Sequence, residues 1–237
     1  MREGKLPNTS QITAYAYYEF FKELLKEGKP VIFADMDKAI SNSYNNSVTA
    51  KEMVLDKIPD AQLYILDTRC ITIGLGLLLK QLVRMRDEGK TCEEVVNWAN
   101  ENAIKIAHRF VVDDLQFLRK GGRLSNASAI VGTLLAIKPL IYIPDDGTLV
   151  AYEKVHGRKK AVHELLESSA KDIDASKPCE IMLVHSDCPE DGEKWKAMVQ
   201  ERFPLADVSL QELGPTIACH IGPGFLGIVY FAEKRQA

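Results

Sequence analysis

Residues 30–67 read PVIFADMDKAISNSYNNSVTAKEMVLDKIPDAQLYILD. PVIFA is the short apolar run that a strand buried on both faces carries, and AQLYILD repeats it. Between them SNSYNNSVTAKEMVL starts polar and reads as a helix. Strand, helix and strand in so short a span is the unit of a mostly parallel sheet covered by helices. Upstream, Ala14–Lys26 (AYAYYEFFKELLK) places apolar and aromatic residues at helical spacing, with Gly28 beyond it as a stop. Downstream, a helix is expected from about Ile71 to Arg86, ended by Gly89. Thr91–Glu94 (TCEE) is a capping box that opens another helix, expected to end near Ala107.

From Arg109 the pattern changes. FVV reads as a short strand, DDLQFLRK as a helix and NASAIVGTLLAI as another. PLIYIP and TLVAYEKV flank Asp145-Asp146-Gly147, a hairpin signal. RKKAVHELLESSAKDI reads as helix, EIMLVH as strand, EKWKAMVQERF as helix, and DVSLQEL and LGIVYFAE as strands. The expectation is an α/β protein of two domains with the ligand between them. Residues 1–110 form a mostly parallel, Rossmann-like sheet domain and residues 111–237 a mixed α+β domain.

The 237 residues are enough for a sizeable core, and a net charge of −3 with interspersed signs gives no general attraction to nucleic acid or anionic lipid. Cys70, Cys92, Cys179, Cys188 and Cys219 form no C-x-x-C pair and suit reduced thiols better than a disulfide framework. The start, MREGKLPNTSQ, has no apolar signal region. The longest apolar stretch, AIVGTLLAIKPLIYI, is broken by Lys138 and Pro139 and is too short to span a bilayer. A soluble, cytoplasmic protein with no membrane span and no metal site is expected.

Gly222-Pro223-Gly224-Phe225-Leu226-Gly227 matches G-x-G-x-x-G, but an apolar strand follows where dinucleotide binding needs a helix. A turn with close backbone approach is the better reading. His220, in ACHIGPG, reads by itself as a core histidine. His185 ends a strand, and His108, His156 and His163 read as surface residues. Thr9, Ser10 and Gln11 form a cap cluster before the first helix. Ser41 and Ser43 follow a strand at a helix start, where hydroxyls cap the helix and can also face an anion. In LQFLRKGGRLSNASAIVG (115–132), Gly121 and Gly122 end a helix. Arg123 is thereby delivered on a tight turn, next to Ser125 and Asn126 as caps for the next helix.

FVVDDLQFLRKGGRLS, then IKPLIY, DGTL, GRKKA and HIGPGFLGIV, in that order, resemble the DegV family. TSQ and AISNSYNN are similar to the family's remaining segments, so the resemblance runs over essentially the whole chain. It implies a two-domain protein that binds a long-chain fatty acid and presents the carboxylate to a separate kinase subunit for phosphorylation. It assigns the carboxylate to Thr9 and Ser41, with Ser10 beside Thr9, and a polar network behind it to Arg123 and His220. The bound fatty acid is the ligand and no cofactor is implied. Family members begin with a D-S-[TS]-A-D strand and a helix that this chain is expected to lack. Asp37-Lys38-Ala39 stands where the pattern has S-S-G, and a carboxylate there repels a bound acid unless it points away.

The chemistry is consistent with that assignment. A carboxylate in a dry pocket needs donors. Charge-assisted hydrogen bonds contribute roughly 1.5–3 kcal/mol each, and each buried CH₂ about 0.8 kcal/mol, so the tail carries affinity and the head group orientation. Ile130, Leu134, Leu135 and Ile137 are candidates for the tail pocket, with ordinary core as their other reading. One alternative is a Ser41–His220 acyl hydrolase, for which no G-x-S-x-G elbow or third member is visible. Another is a truncated interaction module that binds no lipid. Arg158, Lys159 and Lys160, three cations at a helix start, offer a basic patch to the kinase or to anionic lipid.

Overall fold

The computed structural model describes residues 1, 3, 7–123 and 137–235, and the chain divides into two compact units. The smaller comprises Ser10–Ile71 and Leu75–Ile104; the larger comprises Met1–Thr9, Thr72–Gly74 and Lys105–Ala237.

In the smaller unit, α1 (Ala14–Leu25) is capped by Thr13, whose hydroxyl accepts from the amide of Ala16 at 3.2 Å. The cap is therefore Thr13 and not the Thr9–Gln11 cluster. Tyr17 and Phe21, one turn apart, bury their rings edge-on against Phe33 at 5.3 and 5.1 Å. Phe33 lies on β1 (Val31–Asp35), which pairs in parallel with β2 (Leu63–Asp67), Asp35 opposite Asp67. Helix α2 (Ser43–Leu55) makes the crossover, and its Ala50 and Val54 join Tyr17, Phe21 and Leu63 in one core. Then follow α3 (Thr72–Asp87) and α4 (Cys92–Asn102). The expected capping box is present: Glu94's amide donates to Thr91 Oγ1 at 3.2 Å and Thr91's amide to Glu94 Oε2 at 2.8 Å.

The larger unit is a six-stranded mixed sheet in the order β5-β4-β3-β8-β6-β7. Its strands are β3 (Ile106–Val111), β4 (Ile137–Tyr142), β5 (Val150–His156), β6 (Glu180–Ser186), β7 (Asp207–Glu212) and β8 (Phe225–Phe231). Only β6 and β7 pair in parallel; the other neighbours are antiparallel. The hairpin between β4 and β5 turns at Asp145–Gly147, where Asp146 accepts from Thr148's amide and hydroxyl and Gly147 has φ +82°. Helices α6 (Arg158–Ala170) and α7 (Pro189–Arg202) bury Leu165, Trp195 and Val199 against Ile181, Leu183, Ile228 and Tyr230. Two short helices, α5 (Leu115–Lys120) and α8 (Pro215–Ile221), pack on each other.

Several sequence expectations differ. Helix α4 stops at Asn102, a 3-10 turn covers Ala103–Lys105, and β3 begins at Ile106. β3 is thus longer than FVV and wholly buried, and the expected border between residues 110 and 111 passes through it. His108, expected at the surface, is 4 % exposed on β3, its Nδ1 within 3.0 Å of Ile106 O and its ring against Gly74. Burial on the two faces of β3 comes from α6 on the side of Ala107 and Val111 and from Gly74 on the side of His108, both distant in sequence. Helix α8 has no counterpart in the expected elements. The helix expected over NASAIVGTLLAI lies outside the described residues except Ile137, which opens β4. Among the described residues no helix is long and apolar enough to cross a membrane.

Candidate functional site

The junction of α5 and α8 in the larger unit collects most of the sequence-predicted residues. Asp114 caps α5, accepting from Gln116's amide at 2.8 Å. The helix ends through Gly121 and Gly122, the latter at φ +67°, a conformation only glycine enters without a Cβ penalty. The turn closes with Arg123's amide donating to Leu118 O at 3.3 Å, and the Arg123 guanidinium folds back to donate to Gly121 O. Helix α8 starts at Pro215 and ends at Gly222 (φ +79°). Gly222 lies on the Phe117 ring, where a Cβ would collide with it.

His220 occupies the last turn of α8, half-buried, with Nε2 at 2.8 Å from Thr9 Oγ1. Its Nδ1 is buried, has no hydrogen-bond partner among the described residues, and faces Gly121. Burial, with the nearby Arg123 charge as a second cause, holds the imidazole below its ordinary pKa, so the ring is neutral at neutral pH. Thr9, Gly121, Arg123 and His220 thus form one polar group, built from three separated chain segments.

The glycines of GPGFLG stand in close approach to their neighbours, as the sequence suggests. They follow a helix and precede a strand, the reverse of a dinucleotide fingerprint. Gly224 donates to Ser186 O at 2.8 Å, and its missing Cβ makes room for the Asp113 carboxylate. Asp113 is held by Lys138 at 3.0 Å and Arg158 at 2.8 Å. Arg158 also donates to Gly224 O at 2.6 Å and to Asp191 at 2.9 Å. The expected basic patch therefore loses Arg158 to internal ion pairs; Lys159 and Lys160 remain exposed beside His156 and His163. His185 is buried against Gly192.

In the smaller unit the loop after β1 carries Ser41. Asp37 is buried, and its Oδ1 accepts from Ala39's amide at 2.8 Å while its carbonyl accepts from Ile40 and Ser41, each at 3.1 Å. One carboxylate oxygen thus shapes its own turn. Lys38 pairs with Asp67 at 3.2 Å and not with Asp37. Ser41 is half-buried, and its Oγ accepts from Ser43's amide at 3.2 Å, which leaves the hydroxyl proton for another acceptor. Ser10 is exposed. Ile130, Leu134 and Leu135 lie outside the described residues, and Ile137 is half-buried.

Sequence reasoning missed a buried polar pair in the smaller unit. Tyr17 donates to Asp35 Oδ2 at 3.4 Å, and Met36's amide to Oδ1 at 2.8 Å. Burial is the main cause that pushes the phenol up to about 12 and the carboxyl above its ordinary value. Asp35 directly after an apolar run was the available signal. Among the described residues no group of three or more His, Cys, Asp or Glu is arranged to hold a metal ion.

A family model described as "Uncharacterised protein, DegV family" matches residues 1–233. The chain belongs to the DegV family. It is 37% identical over 236 residues to a DegV domain-containing protein of Clostridium perfringens, spanning 100% of this chain and 81% of that one. Among solved structures, a stearic acid-binding protein from Eubacterium ventriosum superposes with a TM-score of 0.87 at 25% identity, over 98% of this chain and 80% of its own. A fatty acid-binding DegV family protein from Streptococcus agalactiae gives 0.82 at 28% identity, over 98% and 80%. The DegV likeness therefore extends over both units.

Proposed function

We propose that the protein is a cytoplasmic, non-catalytic carrier that binds a long-chain fatty acid and presents its carboxylate to a partner kinase for acyl-phosphate formation. The observation that carries this reading is the grouping of Thr9, Arg123 and His220, with Thr9 hydrogen-bonded to a neutral histidine 2.8 Å away. A guanidinium and a hydroxyl donor are what an ionised head group needs when it leaves water. Two structural neighbours described as stearic acid-binding and fatty acid-binding support the ligand class. The family resemblance assigns Ser41 to the same head group, Ser10 beside Thr9 is a further candidate for it, and Ile130, Leu134, Leu135 and Ile137 are candidates for the acyl tail from their place in the apolar run. No cofactor or metal is required for binding alone.

The hydrolase alternative is disfavoured at one atom. A catalytic histidine is oriented by an acceptor on Nδ1, and His220 Nδ1 has none among the described residues. Native mass spectrometry of the purified protein, followed by extraction and lipid identification, tests the carrier reading. A stoichiometric fatty acid, depleted in Arg123→Ala and in Ser41→Ala, is the expected result. A protein that arrives empty and takes up no added oleate sinks it. Phosphorylation of the bound acid by an added fatty acid kinase tests the partner. Turnover of a chromogenic ester that Ser41→Ala abolishes would revive the hydrolase.

A further inference from the structure

The two glycines of KGGR are glycine for different reasons. Gly122 has φ +67° and, among the described residues, open space where a Cβ would stand, so its need is conformational. Gly121 has φ −70° and ψ −12°, backbone that any residue adopts. A Cβ there would lie 2.5 Å from His220 Nδ1 and 3.1 Å from Phe117 O. Its need is therefore the space taken by the imidazole. We infer that Gly121 is a positioning residue of the head-group site: it seats His220 as the Nε2–H tautomer, and that tautomer turns the hydroxyl proton of Thr9 toward an anionic ligand.

The proton inventory follows from the contacts. The inference rests on the fatty-acid reading only for the identity of the anion. Nδ1 faces Gly121; the carbonyl beside it, Phe117 O, already accepts from Gly121's own amide at 2.8 Å. A proton on Nδ1 would be a buried donor without an acceptor, whereas an unpaired lone pair there is the more readily tolerated state. The proton belongs on Nε2, which then donates to Thr9 Oγ1 at 2.8 Å. With that oxygen accepting from the ring, Thr9's own proton is free to donate outward. Arg123 is the charged group acting on the ring, and a doubly protonated imidazole would stand against it. The site thus presents a hydroxyl donor and a guanidinium to the ligand, an arrangement that selects an ionised head group over a neutral one of the same chain length.

The test uses the full chain, labelled with ¹⁵N-histidine, with His220→Asn to assign the signal. A protonated Nε2 and an unprotonated Nδ1 are expected; the opposite pattern overturns the inference whether or not lipid binds. In parallel, oleate and oleyl alcohol are titrated into the wild type, Gly121→Ala and Gly122→Ala. Gly121→Ala should lose about tenfold in oleate affinity, the scale of one weakened charge-assisted hydrogen bond, and should shift the His220 signals. Gly122→Ala should lower the unfolding midpoint while leaving those signals in place. Wild-type affinity and an unmoved ring signal in Gly121→Ala overturn the inference. A wild type that binds no oleate refutes the fatty-acid reading instead, and the ring signals still decide the tautomer.

Discussion

Asp172→Ala should be among the most damaging substitutions in the larger unit. Arg109, on the central strand β3, is 2 % exposed, and its Nη2 donates to Asp172 Oδ2 at 2.7 Å. Its Nε donates to Tyr230 Oη at 2.9 Å, and the Tyr230 hydroxyl in turn donates to Asp172 Oδ2 at 2.9 Å. Burial pushes the Tyr230 phenol well above its ordinary range, so it serves as a neutral relay and not as a counter-charge. The Tyr152 ring, 5.6 Å from the guanidinium carbon, adds only a weaker cation–π contact. Asp172 is therefore the anion that this guanidinium depends on. Breaking a buried pair by removing one partner costs about 3–5 kcal/mol, a large part of the 5–15 kcal/mol typical of a domain. Adding Arg109→Met removes the stranded charge and should recover most of that loss. Urea unfolding at constant m-value reads both changes. A loss below about 1 kcal/mol for Asp172→Ala, or a double variant no more stable than the single, would refute the reasoning.

Three further outcomes are expected. Gly224→Ala forces a Cβ into the Asp113 carboxylate from a φ of +82°, and should cost about 1–3 kcal/mol by thermal unfolding; an unchanged midpoint means that the Asp113–Arg158 network yields freely. Thr91→Ala removes the cap of α4 and should cost about 1 kcal/mol, with faster amide exchange confined to that helix; uniform exchange across the unit would count against a local cap. Asp35→Asn tests the raised carboxyl. A folded-state value above the unfolded one means that the wild type has its full contribution below about pH 4 and loses it as pH rises. Asparagine titrates no such loss, so denaturation at pH 4 and pH 7 should show the variant gaining on the wild type at the higher pH. An equal gap at both would exclude burial as the cause of the shift.

What the sequence determined by itself is what closes within a few residues. PVIFA and AQLYILD carry enough apolar side chains to be buried strands on any reading. Thr91 with Glu94, and Asp146 with Thr148, make their hydrogen bonds across two or three positions. The order KGGR and H-x-G-P-G was legible as a family pattern, and with it the residues of the candidate site. Tertiary structure decided what depends on partners far along the chain. His108 is buried because Gly74 packs against its ring, and Arg158 leaves the basic patch because Asp113 and Asp191 reach it. Thr9 is not a cap because α1 begins only at Ala14, behind Thr13, and the Thr9 hydroxyl instead meets His220, 211 positions away. Gly121 could be read only as a helix stop, since its backbone angles, and the ring that fills the place of its side chain, exist only once α8 has packed on α5. A local pattern specifies hydrogen bonds that the chain can make with itself at short range; which side chain meets which across the fold is set by packing.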